Sequence, residues 1–181
     1  MDTNSNREKL ASFVKSIPDF PKEGILFRDV TGILDSAEGL ALAIGELEKS
    51  LQGIEFDYIA GLEARGFIFG APLALRFGKP FVPVRKKGKL PRKTISRSYN
   101  LEYGTAEIEI HADTLRPGAK VVIIDDLLAT GGTAHAAAKL IEDAGCTVAK
   151  IAFLIELAGF EARSGILSEY ETSSILVYPG K

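Results

Sequence analysis

A single α/β domain built on a doubly wound, mostly parallel central sheet with flanking helices is the fold that this sequence predicts. Three observations lead there. Runs with strand character alternate with runs of helical periodicity along most of the chain, which argues repeated β-helix-β units. The block Val121–Ile124 is β-branched and uninterrupted by polar residues, as in a strand covered on both faces. Only near Thr105–His111 does the pattern change to strict alternation, with Ala106, Ile108 and Ile110 against Glu107, Glu109 and His111, the mark of an antiparallel arm.

The elements follow in order. Leu10, Phe13, Val14 and Ile17 recur at helical spacing and predict an opening helix, which Pro18 and Pro21 stop. Asp35 and Glu38 read as a capping box before the apolar stripe Leu40, Ala43, Ile44, Leu47 and Leu51, and Gly53 closes that helix. Phe56–Ala60 reads as the first central strand, 66–77 as a helix and 80–84 as the next strand. Residues 85–97 are basic and polar, and strands at 98–103 and 105–111 form the arm. Lys120–Ile124 is a strand, Thr133–Ala144 its helix ended by Gly145, and 148–155 and 174–178 are the last strands.

With 181 residues, 46% of them hydrophobic and 25% charged, the chain has room for one core, so residues 1–181 are read as a single domain. A net charge of −2 and a pI near 5.8 disfavour nucleic acid as a partner. The lone Cys146 excludes an internal disulfide and suits a reducing compartment. The polar start Met1–Lys9 lacks the apolar core of a signal peptide, and the longest apolar stretch, 66–75, falls short of the ~18 residues a membrane span needs. No membrane role is expected, and the expected location is cytoplasmic. His111 and His135 stand apart from each other and from clustered acids, so no protein cage for a metal is expected.

Chemistry concentrates where the strand at 120–124 ends. Asp125 and Asp126 occupy the carboxyl end of a parallel strand, where open α/β sheets bind their ligands. Ala129, Thr130, Gly131, Gly132 and Thr133 then supply backbone N–H groups, two hydroxyls and a helix N-terminus, a combination that suits a phosphate monoester. Alone, an Asp-Asp pair is ordinarily a solvated loop and a Gly-Gly a turn; in this order they are far more specific. Carboxylates accept hydrogen bonds from a diol but would repel a phosphate set against them.

The run Val121–Thr133 resembles the phosphoribosyl-pyrophosphate motif of the type I phosphoribosyltransferases, and Gly61–Gly66 with the following Phe67-Ile-Phe-Gly70 resembles the pyrophosphate loop of their adenine-using branch. The resemblance implies that Asp125 and Asp126 bind the ribose hydroxyls and that residues 129–133 bind the 5′-phosphate. It also implies that Glu63, Ala64 and Arg65 serve the pyrophosphate, with a cis peptide joining Glu63 to Ala64. In the basic segment Arg85–Lys93, six of nine residues are cationic; Lys86 and Lys89 are the candidates to touch pyrophosphate. Tyr99–Gly104 resembles the family's mobile catalytic loop, here residues 85–104, in which Glu102 would handle the purine proton and Tyr103 would cover the site. Arg65 joins them as a catalytic candidate. Phe20–Thr31 resembles the small N-terminal hood, about residues 1–35, in which Leu26, Phe27 and Arg28 would form the purine pocket.

These matches span Phe20 to Glu156 in the family's order. They imply transfer of the phosphoribosyl group from phosphoribosyl pyrophosphate to adenine, giving AMP and pyrophosphate, with Mg2+ carried by the donor and with a homodimer as the assembly. A transferase for another base would keep both phosphate motifs and differ in the hood. A ligand-sensing regulator on the same fold would carry a DNA-binding domain, for which the roughly 20 residues before the hood leave little room. A non-catalytic nucleotide-binding subunit would share the motifs, and turnover separates it.

Overall fold

The computed structural model describes residues 3–100 and 104–180. Its centre is a seven-stranded sheet formed by β3 (Tyr58–Leu62), β4 (Phe81–Lys86), β5 (Thr94–Asn100), β6 (Thr105–His111), β7 (Lys120–Leu128), β8 (Thr147–Leu157) and β9 (Thr172–Tyr178), in the order β5-β6-β4-β3-β7-β8-β9. The five strands from β4 to β9 in that order pair in parallel. The β5–β6 arm is antiparallel and joins the edge of β4 at Arg85↔Glu109.

Helices cover both faces. α5 (Gly132–Asp143) packs Ala134, Ala137, Leu140 and Ile141 on one side, against Val121 and Ile123 of β7. On the other side α1 (Thr3–Phe13), α3 (Ala37–Ser50) and α4 (Arg65–Phe77) enclose Val122 and Ile124 with Leu10, Leu47, Phe69 and Leu73. Residues 121–124 are all 0% exposed; adjacent strand side chains face opposite ways, so a strand buried on both faces has to be apolar throughout.

Among the boundaries that differ from the sequence reading, three shape the hood and the site. The opening helix ends at Phe13, and Lys15–Pro18 forms β1, paired antiparallel with β2 (Leu26–Asp29) as a separate two-stranded sheet. Ile17 therefore lies opposite Phe27 in this hairpin. A short helix, α2 (Thr31–Leu34), follows β2, and Asp35 is still helical as its C-cap. The N-cap of α3 is consequently Ser36, in extended conformation, whose Oγ accepts the Gly39 N–H at 3.1 Å. Lastly β7 runs on to Leu128, so Asp125 and Asp126 sit within the paired strand, with Asp125 opposite Phe153.

Candidate functional site

The acids and the following loop form one end of the site. Gly131 caps α5 in the left-handed conformation at φ +80°, which a residue with a Cβ reaches only at a cost. Residues 127–134 with Asp125 and Phe153 line a cavity of about 110 Å³ at this helix N-terminus. The first backbone N–H groups of a helix have no intrahelical acceptor, and the helix dipole favours negative charge there. The cup is thus suited to an anion, with Thr130 and Thr133 bringing hydroxyls to it.

Successive strand residues face opposite sides, so the two acids meet different partners. Asp126 is buried, and its Oδ2 lies 2.6 Å from Arg65 Nε. That contact is an ion pair without a well-aligned hydrogen bond, since Oδ2 has no partner of acceptable angle. Asp125 accepts the Asp126 N–H through Oδ1 at 2.9 Å. Burial pushes Asp125 well above the usual carboxylate range, and the neighbouring Asp126 charge pushes it further. Burial also raises Asp126, against the opposing pull of Arg65. Two desolvated acids on adjacent residues, with the Arg65 guanidinium against Asp126 alone, are an unfavourable arrangement for a resting protein and a favourable one for a ligand that donates hydroxyl hydrogens.

A second, wider cavity of about 380 Å³ is lined by Glu63, Ala64, Arg65, Asp125, Asp126, Leu127 and Thr133. Beside it the start of α4 approaches β7 closely: a Cβ on Gly66 would stand 2.7 Å from the Ile124 carbonyl oxygen. The Glu63–Ala64 peptide is cis. The Glu63 carboxylate is held by donors from β4. It accepts the Lys86 N–H at 2.9 Å and Arg85 Nε at 3.1 Å. Desolvation raises this carboxyl, but those donors outweigh it and hold the group below its ordinary value. A negative side chain so neutralised leaves the peptide groups of 63–65 and the Arg65 guanidinium as the anion-facing elements.

A third cavity of about 120 Å³ adjoins it, lined by Leu62, Glu63, Val84, Lys86, Tyr99, Ile108 and Thr133. Thr133 borders all three. Tyr99, on β5, reaches across so that its hydroxyl and Thr133 Oγ1 are 3.1 Å apart, and Arg97 pairs with Asp143 of α5 at 2.5 Å. The basic segment, read from sequence as part of a mobile loop, is largely hydrogen-bonded here: a turn links Lys89 N to the Lys86 carbonyl at 3.2 Å, and Thr94–Asn100 is strand. Lys86 lines a cavity, whereas Lys89 is exposed and borders none of the three.

Leu26, Phe27 and Arg28 lie on β2. The Phe27 ring meets Phe20 edge-on at 5.1 Å, and the Arg28 guanidinium covers the Tyr178 ring at 4.3 Å while bonding Ser16 Oγ. These three residues do not border the cavities around Thr133. Among the described residues no third strand pairs with this hairpin, so the edge of β2 turned away from β1 is open. Glu102 and Tyr103 lie outside the described residues.

Sequence reasoning missed Tyr99, Leu127, Leu128 and Phe153 as lining residues. Tyr99 could have been found from the arm's register, which sets it opposite Ala106; the other three carry no signal that separates them from core residues. His135 is near Glu169 at 3.8 Å and Tyr170, and His111 Nε2 is 2.8 Å from the Pro91 carbonyl oxygen. Neither borders the site. Cys146 is buried, and burial raises its thiol, which fits an inert role. Among the described residues no group of three or more His, Cys, Asp or Glu could hold a metal ion, and no helix is long and apolar enough to cross a membrane.

Known proteins resemble this chain along most of its length. Residues 30–172 match the phosphoribosyl transferase domain. An adenine phosphoribosyltransferase of Agathobacter rectalis is 56% identical over 169 residues, covering 93% of this chain and 97% of its own length. The crystal structure of the adenine phosphoribosyltransferase from Thermoanaerobacter pseudethanolicus superposes with a TM-score of 0.91 at 50% identity, covering 95% of this chain and 99% of that one. The Saccharomyces cerevisiae enzyme, complexed with an imino-altritol bisphosphate and adenine, gives 0.89 at 38% identity, covering 96% and 99%. On the matched domain and these identities, the chain belongs to the adenine phosphoribosyltransferases of the phosphoribosyl transferase family.

Proposed function

We propose that the chain transfers the phosphoribosyl group of phosphoribosyl pyrophosphate to N9 of adenine, releasing pyrophosphate and AMP. The observation that carries this reading is the meeting of three differently equipped cavities at Thr133. The cup at Ala129, Thr130, Gly131, Gly132 and Thr133 takes the 5′-phosphate, and Asp125 and Asp126 accept the ribose hydroxyls. The peptides of Glu63 and Ala64, with Arg65 and Lys86, take the pyrophosphate; Lys89 adds positive charge to that edge. With the phosphates and sugar held at separate points, the anomeric carbon is fixed between leaving group and base, and orientation replaces a chance encounter.

The sugar carbon gains cationic character as the pyrophosphate departs, so the fixed charges on both sides carry the catalysis. The buried carboxylates favour the developing cation, and Arg65 and Lys86 favour the departing anion. Magnesium fits as an ion borne by the donor: the acid pair offers hard oxygens, with Asp126 Oδ2 lacking a well-aligned donor. When bound, it would neutralise pyrophosphate oxygens beside Asp125 and Asp126. Glu102 would take the purine proton, and Tyr103 would exclude water.

For the base, the free edge of β2 at Leu26–Arg28 offers an N–H and a carbonyl matching the acceptor nitrogen and amino group of adenine, with Phe27 to stack on the ring. Hypoxanthine and guanine present an oxygen where adenine presents the amino group, leaving two acceptors facing each other. A homodimer is supported by α4, whose Ile68, Ala71, Pro72 and Leu75 form an outward apolar stripe, Leu75 being 83% exposed. A reducing, cytoplasmic setting accords with the unpaired Cys146. Formation of AMP from adenine and phosphoribosyl pyrophosphate, followed by chromatography, tests the reaction; absence of product with a folded protein and magnesium would refute it.

A further inference from the structure

Strand β6 presents a carboxylate that the reaction described above does not use. Glu109 is 2% exposed, on the polar side of a strand whose alternation would put it in solvent beside Glu107. Its Oε1 accepts two backbone N–H groups, Lys89 at 3.0 Å and Leu90 at 2.9 Å, and its Oε2 accepts the Thr94 hydroxyl at 3.1 Å. The two N–H donors belong to the basic turn that follows β4, and the Thr94 hydroxyl comes from the first residue of β5. The same turn is tied from the opposite side by Glu63, which accepts the Lys86 N–H, and by Arg85, which bonds both Glu63 and the Lys89 carbonyl oxygen at 3.1 Å.

A turn carrying Lys86, Lys87 and Lys89 beside Arg85 is self-repelling, and without Glu109 the Leu90 N–H would lose its acceptor while the Lys89 N–H would keep only the Lys86 carbonyl oxygen at 3.2 Å. A buried anion answers both problems. Desolvation raises the Glu109 carboxyl, but the bonds from Leu90, Thr94 and Lys89 and the nearby Lys87 charge more than offset this, so it stays ionised. The turn is therefore clamped between two carboxylates, one on the loop at 63–65 and one on the arm. The clamp sets the backbone from which the Lys86 side chain enters the third cavity.

We infer that Glu109 is a positioning residue for pyrophosphate binding: together with Glu63 and Arg85 it fixes the Lys86–Leu90 turn so that Lys86 is held ready at the pyrophosphate cleft. This rests on the reading of that cleft given above. It acts through Lys86 and touches no substrate itself. Gln at this position keeps an oxygen for the two N–H groups but loses the charge; Ala loses both.

The test is pyrophosphorolysis of AMP with magnesium, varying pyrophosphate and AMP separately, for the wild type, Glu109→Ala, Glu109→Gln, Lys86→Ala and the Glu109→Ala/Lys86→Ala double variant. Glu109→Ala should raise the KM for pyrophosphate by about tenfold or more while the KM for AMP and kcat at saturation change less than about threefold. Glu109→Gln should fall between it and the wild type. In the Lys86→Ala background, Glu109→Ala should add less than about twofold, because the residue through which it works is already gone. A full additional factor in that background, or an equal rise in both KM values, would overturn the inference as a general loss of structure. Should the alanine variant fail to fold, Glu109→Gln alone and with Lys86→Ala is read by the same criteria. Wild-type protein that is inactive with pyrophosphate would overturn the proposed function itself, whereas an active wild type with an unaffected Glu109→Ala overturns only the positioning role.

Discussion

Asp125→Asn should make the ligand-free protein more stable and the enzyme much worse. The wild-type carboxyl is held above its ordinary value of 3.8 by burial first and by the adjacent Asp126 second, so at neutral pH its ionised form opposes folding. Asparagine is isosteric and keeps an oxygen for the Asp126 N–H. Substitutions that relieve such functional strain typically gain roughly 0.5–2 kcal/mol. For a chain of this size that is about 1–8 °C in Tm, at about 2–4 °C per kcal/mol. The sign with pH follows from linkage: a carboxyl whose folded pKa is raised destabilises above that raised pKa, and the effect vanishes below the unfolded value. The advantage of Asp125→Asn should therefore grow as the pH rises above the ordinary value of 3.8 and vanish below it. Against this gain stands the loss of a charge-assisted hydrogen bond to a ribose hydroxyl, roughly 1.5–3 kcal/mol or about ten- to a hundredfold in kcat/KM for the donor. Thermal melts from pH 4 to 8 without ligand, paired with steady-state kinetics, measure both. A variant less stable than wild type at neutral pH, or one with unchanged donor kinetics, would refute the assignment of a strained diol-binding acid.

Gly131→Ala imposes a Cβ at φ +80°, 2.9 Å from Ile166 Cγ2 and 3.1 Å from Ala162 Cβ; a loss of roughly 2–3 kcal/mol should accompany at least about tenfold weaker AMP binding by calorimetry, and unchanged affinity would detach the cup from the 5′-phosphate. Leu75→Arg alters a side chain that is 83% exposed, so it should move stability within about 0.5 kcal/mol yet shift sedimentation from dimer to monomer; a wild type that sediments as a monomer would remove the proposed interface. Glu102→Ala should lower kcat with little change in donor affinity, and normal turnover would take that residue off the catalytic path.

Those parts of the fold governed by local pattern were legible in the sequence. Val121–Ile124 had to be a doubly covered strand, and its helix and the sheet around it follow from alternation of β and helical runs. The hood was not legible, because Leu10, Phe13, Val14 and Ile17 satisfy helical spacing by coincidence: the last two lie beyond the helix, and Ile17 pairs with Phe27, ten residues away in the chain. The cap was misplaced by one residue, since Asp35 and Ser36 are both good cap types and only the extended backbone of Ser36 distinguishes them.

The site divides the same way. The acids, the glycine turn and Arg65 could be read because their chemistry is contiguous in sequence, and their assembly around Thr133 required only the parallel pairing of β3 with β7. What joins them at a distance was hidden. Glu109 looks identical to Glu107 in an alternating strand, yet the turn folded over it makes one buried and the other half-exposed. Glu63 likewise reads as an anion-site residue, although its carboxylate is spent on Arg85 and the Lys86 N–H.

In the proposed reaction these cavities bind phosphoribosyl pyrophosphate, and its sugar is joined to adenine held at an edge of β2. Initial rates with adenine, hypoxanthine, guanine and orotate, each with phosphoribosyl pyrophosphate and with magnesium present or chelated, test it most directly. Adenine should be used at least about a hundredfold more efficiently than the other bases, the discrimination that mismatched hydrogen-bonding groups supply, and excess chelator should abolish the reaction. Comparable turnover of hypoxanthine, or activity that survives the chelator, would contradict the account.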